Sequence, residues 1–241
     1  VGDDFGRGVR GDGYPVGIGQ LIQQVLNSFC GALTVTADNA TGAALDPAGG
    51  IFPGGYLALL GQYPAVTEYG YADEPGRWDH WPSGFLFTWP NEDSAEGTLV
   101  LDVGDIILPF KNYCRERITL EIEKGFITGI HGGFEAEYLR DYMKYFNDPE
   151  VYGISHIGWG LQPRAQWTAM GLHDRNDGMC MDARAFYGNF LFSTGPNTEV
   201  GGKRKTPCHL DIPLRNCDIY LDDKAVVLAG DVVAPEESRA R

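Results

Sequence analysis

Glycine and proline punctuate this chain from end to end, 33 and 14 of them in 241 residues. Each is a poor interior residue for a helix or strand and a good one for a tight turn, so the elements between them must be short. The apolar spacing sorts those elements. Gly19 to Cys30 places Leu21, Ile22, Val25, Leu26 and Phe29 at helical intervals. Phe134 to Asn147 predicts the clearest helix, with Phe134, Tyr138, Leu139, Tyr142, Met143 and Phe146 on one face and Pro149 just beyond its end. Ile118, Leu120 and Ile122 alternate with Thr119, Glu121 and Glu123, the pattern of a half-buried strand, and Lys124-Gly125 turns it into a hairpin with Phe126 to Ile130. Further strands are expected at Leu33 to Ala37, Phe85 to Trp89, Thr98 to Leu108, Ile154 to Trp159, Phe186 to Phe192, Cys208 to Ile212, Asp218 to Leu221 and Ala225 to Leu228; Tyr56 to Leu60 fits a strand or a helix. The fold class is α+β, strand-rich, with a few flanking helices. Three segments are expected: an N-terminal α/β segment over 1–75, a catalytic domain over 76–235 and a polar tail over 236–241.

Charge removes several classes of partner. A net charge of −14 leaves no basic face for nucleic acid. The one basic cluster, Lys203, Arg204 and Lys205, reads as a solvated loop or a small-anion attractor. No run of 18 apolar residues exists, so no membrane partner is expected. The five cysteines form no C-x-x-C pair, which fits reduced thiols and a cytoplasmic setting. Val1 to Tyr14 lacks the pattern of a signal peptide, and the chain has no initiator Met, so a trimmed or partial chain is expected.

The sharpest local chemistry is Pro207-Cys208-His209-Leu210-Asp211-Ile212-Pro213. On a strand, residues two apart share a face, so His209 and Asp211 would point together. Such a pair is half of a metal site or simply a hydrogen-bonded pair. His156, in Gly153-Ile154-Ser155-His156-Ile157-Gly158-Trp159-Gly160, adds a second imidazole. Gly158 and Gly160 share its face and admit either a ligand or another backbone beside it. Two histidines and one carboxylate leave open positions on Fe(II) for a substrate and O2, while zinc could take the same three ligands plus water.

The stretch Pro82-Ser83-Gly84-Phe85-Leu86-Phe87-Thr88-Trp89-Pro90-Asn91-Glu92-Asp93-Ser94-Ala95-Glu96-Gly97-Thr98, the segment around His156 with Pro163, and the H-x-D at His209 together resemble three signatures of the aminopeptidase T-like metalloaminopeptidases. That resemblance covers most of the chain from about residue 80 onward and implies a fold like the C-terminal catalytic domain of those enzymes. They bind two metals, through glutamates where this chain carries Phe85 and His156. Their further His and Tyr ligands have no counterpart in Phe186 to Thr198. The altered set resembles the 2,5-dihydroxypyridine 5,6-dioxygenase family, in the order His–His–Asp and in the 53-residue step from His156 to His209.

The resemblance implies Fe(II) held by His156, His209 and Asp211, and opening of 2,5-dihydroxypyridine by O2 to N-formylmaleamate. It also places acid–base residues near His80 and Glu68, against the plain reading of His80 as a loop residue bonded to Asp79. Ser193 and Thr194 are candidate hydrogen-bond donors to the substrate, and Trp78, Trp81 and Trp89 a candidate aromatic wall. His131 and His173 take no role. A homo-oligomer is the expected assembly. Three rival readings stay open: a metallopeptidase, a dioxygenase of another hydroxylated ring, and a non-catalytic acidic binding protein.

Overall fold

The fold is that of a computed structural model, which describes residues 31–37, 55–68, 70, 72, 75–76, 79–172, 174, 178–222 and 224–233. The expected helix at Gly19 to Cys30, the polar tail, Trp78 and His173 lie outside those residues.

Strands dominate, and they are short, as the glycine punctuation requires. One antiparallel sheet has eight strands in the order β15-β14-β13-β1-β2-β5-β8-β9. In chain order these are β1 (Ala32–Ala37), β2 (Gly55–Leu59), β5 (Glu96–Leu101), β8 (Ile118–Glu123), β9 (Phe126–Gly132), β13 (Cys217–Leu221), β14 (Lys224–Leu228) and β15 (Asp231–Val232). A second sheet has the order β12-β11-β10-β4-β3, built from β3 (Val66–Glu68), β4 (Phe85–Thr88), β10 (Ile154–Gly160), β11 (Phe190–Thr194) and β12 (Leu210–Leu214). A small ribbon pairs β6 (Ile106–Ile107) with β7 (Asn112–Tyr113).

The β8 alternation appears as expected: Ile118, Leu120 and Ile122 are buried while Glu121 and Glu123 face out. The segment at Tyr56 resolves as strand β2. Its Tyr56 ring is fully buried against Phe190 and Phe192 of the other sheet, so one continuous apolar core lies between the two sheets. Strands β1 and β2 fall in the expected 1–75 segment, yet they pair with β13 and β5, so described residues on both sides of position 75 share one sheet.

Some boundaries differ from expectation for local reasons. The strand expected over Thr98 to Leu108 breaks after Leu101, because Gly104 takes a positive φ of 92° and turns the chain into β6. The strand expected from Phe186 begins only at Phe190, since Gly188 turns at φ 73°. Helix α1 (Phe134–Tyr145) buries Ala136, Leu139 and Met143 but leaves Phe134 and Tyr138 outward, so the core face is rotated from the one expected; Tyr138 packs on Phe110 instead. A shorter helix, α2 (Met181–Ala185), precedes β11. Among the described residues no helix is long and apolar enough to cross a membrane.

Candidate metal centre

Every residue of the candidate site except those on α2 comes from the five-stranded sheet or its flanks. Asp211 is on β12, directly opposite Ser193 of β11. His209 stands one residue before β12, outside the strand expected to carry it, and still meets Asp211. His156 sits where the β10–β11 register shifts between Ile154 and Ile157. A bulge of this kind re-aims a side chain at the cost of one ladder step. The bulge is pinned from both sides: Ser193 Oγ donates to the His156 carbonyl at 2.6 Å, and Ser155 Oγ donates to the Pro196 carbonyl at 2.5 Å.

The glycines beside His156 admit backbone, not ligand. A Cβ on Gly158 would collide with the Leu86 carbonyl oxygen and lie 2.7 Å from Phe87 Cα; one on Gly160 would collide with the Phe186 carbonyl. Strand β4 and the end of α2 occupy the space. That close approach brings the β4 aromatics to the imidazole. Phe87 and Trp89 lie 5.2 and 5.8 Å from the His156 ring, and Phe85 stacks on Phe87 at 5.0 Å.

Three atoms converge at the centre. His156 Nε2 is 3.3 Å from Asp211 Oδ1, His209 Nε2 is 3.4 Å from the same oxygen, and the two Nε2 atoms are 3.3 Å apart. Asp211 Oδ1 is buried and accepts no hydrogen bond. Such an atom is costly unless something meets it. A cation with bonds of roughly 2.1 Å can touch all three corners of a triangle of this size, so the donor set fits a single ion.

The protonation states suit that use. Burial pushes His156 down to about 4, against the pull of Asp211, so it is a neutral donor. Burial would raise Asp211, but Arg184 and the two imidazoles outweigh it and hold the carboxyl far below its usual range. Burial would lower His209, but its contact with Asp211 raises it instead, helped by a backbone hydrogen bond to Thr194. Arg184 of α2 was not expected from the sequence. Its Nε lies 2.7 Å from Asp211 Oδ2.

His80 and Glu68 form a second constellation. His80 Nδ1 is 2.7 Å from Glu68 Oε2, both half-buried. Burial raises the Glu68 carboxyl, opposed mainly by His80 and more weakly by Arg184. Asp79 accepts from the His80 backbone N–H, from Ser83 Oγ and from the Gly70 N–H. Glu68, Asp79 and His80 are close enough to hold an ion. Glu68 Oε2 faces His80 Nδ1, and both Asp79 oxygens accept hydrogen bonds. His80 and Asp79 also line a cavity of about 410 Å³, walled by Trp81, Trp167, Met179 and Met181.

The remaining candidates lie at differing distances from the triad. Ser193 shares the Asp211 face, but its proton goes to the His156 carbonyl. Thr194 pairs with Leu210, one residue out of phase with Asp211, so strand alternation turns its hydroxyl away from the triad. Of the expected tryptophan wall, Trp89 stands beside His156 and Phe87, Trp81 lines the cavity and is 57% exposed, and Trp78 lies outside the described residues. His131 pairs with Glu121 on the exposed face of β8–β9. In the basic cluster, Arg204 is buried between Glu92 and Glu150 and over Phe126, so it serves the core and no anion.

Residues 56–234 match the family model of NicX, 2,5-dihydroxypyridine 5,6-dioxygenase. The structure of a 2,5-dihydroxypyridine dioxygenase from Pseudomonas putida KT2440 is 82% identical, with a TM-score of 0.81 over 95% of this chain. This chain spans 61% of that protein's length. Wild-type AmpT from Thermus thermophilus, at 15% identity, shares the fold, with a TM-score of 0.61 over 89% of this chain and 53% of its own.

Proposed function

The chain belongs to the 2,5-dihydroxypyridine 5,6-dioxygenase family, and from that membership we propose that it is a non-haem, Fe(II)-dependent dioxygenase that opens 2,5-dihydroxypyridine between C5 and C6. One O2 adds to one substrate and both oxygen atoms are kept, giving N-formylmaleamate without an external reductant. The observation that carries the proposal is the triangle of His156 Nε2, His209 Nε2 and Asp211 Oδ1, with edges of 3.3 to 3.4 Å and an oxygen that accepts no hydrogen bond. These three residues would hold the ion on one side and leave the other side open. When bound, Fe(II) supplies a Lewis acid for the ionised 5-hydroxyl and a route for ring electrons to O2.

The chain's own groups supply binding and proton transfer. Glu68, when ionised, accepts from His80 Nδ1–H, which favours the tautomer whose Nε2 carries no proton. That nitrogen takes the proton of the substrate's 5-hydroxyl as it ionises. The cavity beside His80, with Trp81, Met179 and Met181 in its wall, suits a flat ring. Ser193, its proton engaged at the His156 carbonyl, offers a substrate lone pairs only. Phe85, Phe87 and Trp89 keep water from the His156 side of the site. Phe85 also speaks against a two-metal peptidase, since an apolar ring buried against Phe87 holds no ion.

Anaerobic reconstitution of the full chain with Fe(II), followed by O2 uptake on adding 2,5-dihydroxypyridine, tests the reading. Stoichiometric uptake with loss of the ring absorbance is expected. Absence of uptake by a chain that has demonstrably bound iron would overturn it, as would two zinc or cobalt ions per chain accompanied by peptide hydrolysis.

A further inference from the structure

Asp211 presents its two oxygens to different partners. Oδ1 faces the two imidazole nitrogens at 3.3 and 3.4 Å and accepts no hydrogen bond, while Oδ2 lies 2.7 Å from Arg184 Nε. The guanidinium is itself fixed. Its Nη1 donates to the Met179 carbonyl and lies 3.8 Å from the Met181 sulfur. The backbone that carries it is tied to the strand of His156. Asn189, fully buried, accepts from Gly160 N–H through Oδ1 at 2.6 Å and donates through Nδ2 to the Ala183 and Arg184 carbonyls at 2.6 and 3.1 Å. Gly160 has no side chain to hold the end of α2 off β10. A continuous set of contacts therefore runs from β10 through Asn189 and Arg184 to Asp211, closing back on His156.

We propose that Arg184 is a positioning residue of the metal centre, holding Asp211 Oδ2 so that a single carboxylate oxygen is offered to the ion. An unrestrained carboxylate can rotate and bind an ion through both oxygens, which fills one more coordination position. With Oδ2 held by an arginine, Asp211 binds through one atom, and the position that a second oxygen would take stays open for substrate or O2. Partners that orient a ligand in this way contribute to metal affinity as well as to geometry. Arg184 also neutralises the carboxylate from the side away from the imidazoles, so its loss would leave a buried anion with one fewer cation. The inference rests on the metal-centre reading above.

The test uses the full chain with Arg184→Met and Arg184→Lys, titrated anaerobically with Fe(II) and, separately, with Co(II) for its visible spectrum. Arg184→Met is expected to bind Fe(II) about 10- to 100-fold more weakly. Its Co(II) bands should also fall in intensity as a second Asp211 oxygen raises the coordination number. Arg184→Lys, which keeps the charge but not the planar fork, should recover part of the affinity and part of the native spectrum. Should Arg184→Met fail to fold, a weakened affinity and shifted Co(II) spectrum in Arg184→Lys would carry the proposal alone. Wild-type affinity and an unchanged Co(II) spectrum in the folded variants would overturn it. A wild-type chain that binds neither ion would instead remove the metal centre itself, and this inference with it.

Discussion

His156 lies under the aromatic row of β4, and burial there pushes its imidazole down to about 4, so it meets a metal already deprotonated. His209 differs. Although burial opposes it, the contact with Asp211 raises its pKa above the ordinary histidine value, so a proton competes with the metal for that nitrogen. The sign follows: affinity is full above the raised pKa of His209 and falls as pH drops through it. Below that point the apparent Fe(II) or Zn(II) affinity should drop by about tenfold per pH unit, one proton displaced per ion. Titrations between pH 5 and 8 that show no pH dependence would contradict this assignment. The other pair separates by its effect on turnover. Glu68→Gln and His80→Ala should retain the metal and lower kcat by roughly 10²- to 10⁴-fold, the usual worth of a positioned base. Loss of metal in either variant would mean that the pair supports the centre and moves no substrate proton.

At the scale of elements, the site depends on how closely β10 lies against β4 and α2. Gly158→Ala would drive a methyl group into the Leu86 carbonyl and Phe87 backbone. The expected cost is about 1–3 kcal/mol of stability in urea unfolding, with a weakened metal affinity because His156 moves with the strand. A variant as stable as wild type would show that β4 can retreat freely. This packing also explains what the sequence disclosed. The pairing of His209 with Asp211 was legible because a two-residue step survives even when the strand begins at Leu210, two residues later than expected. The glycines near His156 announced a close approach but could not say whether ligand or backbone made it. Arg184 gave no signal at all: it sits in a five-residue helix, 27 positions from its partner, and no periodicity links the two. The facing of Thr194 required the register with Leu210, which only the pairing of β11 and β12 supplies.

Over the whole molecule, the two sheets are joined through turns that converge on one buried carboxyl. Asp105, in the turn between β5 and β6, accepts from the Asp102 N–H at 2.8 Å and from the Arg215 N–H at 3.0 Å. Arg215 lies between β12 of one sheet and β13 of the other. The connection was not legible in sequence, because the two positions are 110 residues apart and only the meeting of the sheets unites them. Burial raises Asp105 from 3.8 to about 6, more than its two backbone donors and Arg215 can offset. A carboxyl raised in the folded state favours folding while it is protonated. Its contribution is therefore complete below about 4, its unfolded value, and is lost as pH climbs through about 6. The loss amounts to about 3 kcal/mol. Asp105→Asn cannot ionise, but its single carbonyl leaves one of the two N–H groups unmet, at a cost of about 1–2 kcal/mol at every pH. Measured by urea unfolding, the variant should thus be about 1–2 kcal/mol less stable than wild type near pH 3 and about 1–2 kcal/mol more stable near pH 7.5. An equal penalty at both pH values would show that Asp105 titrates normally. The junction between the sheets would then be held by an ionised carboxylate paired with Arg215.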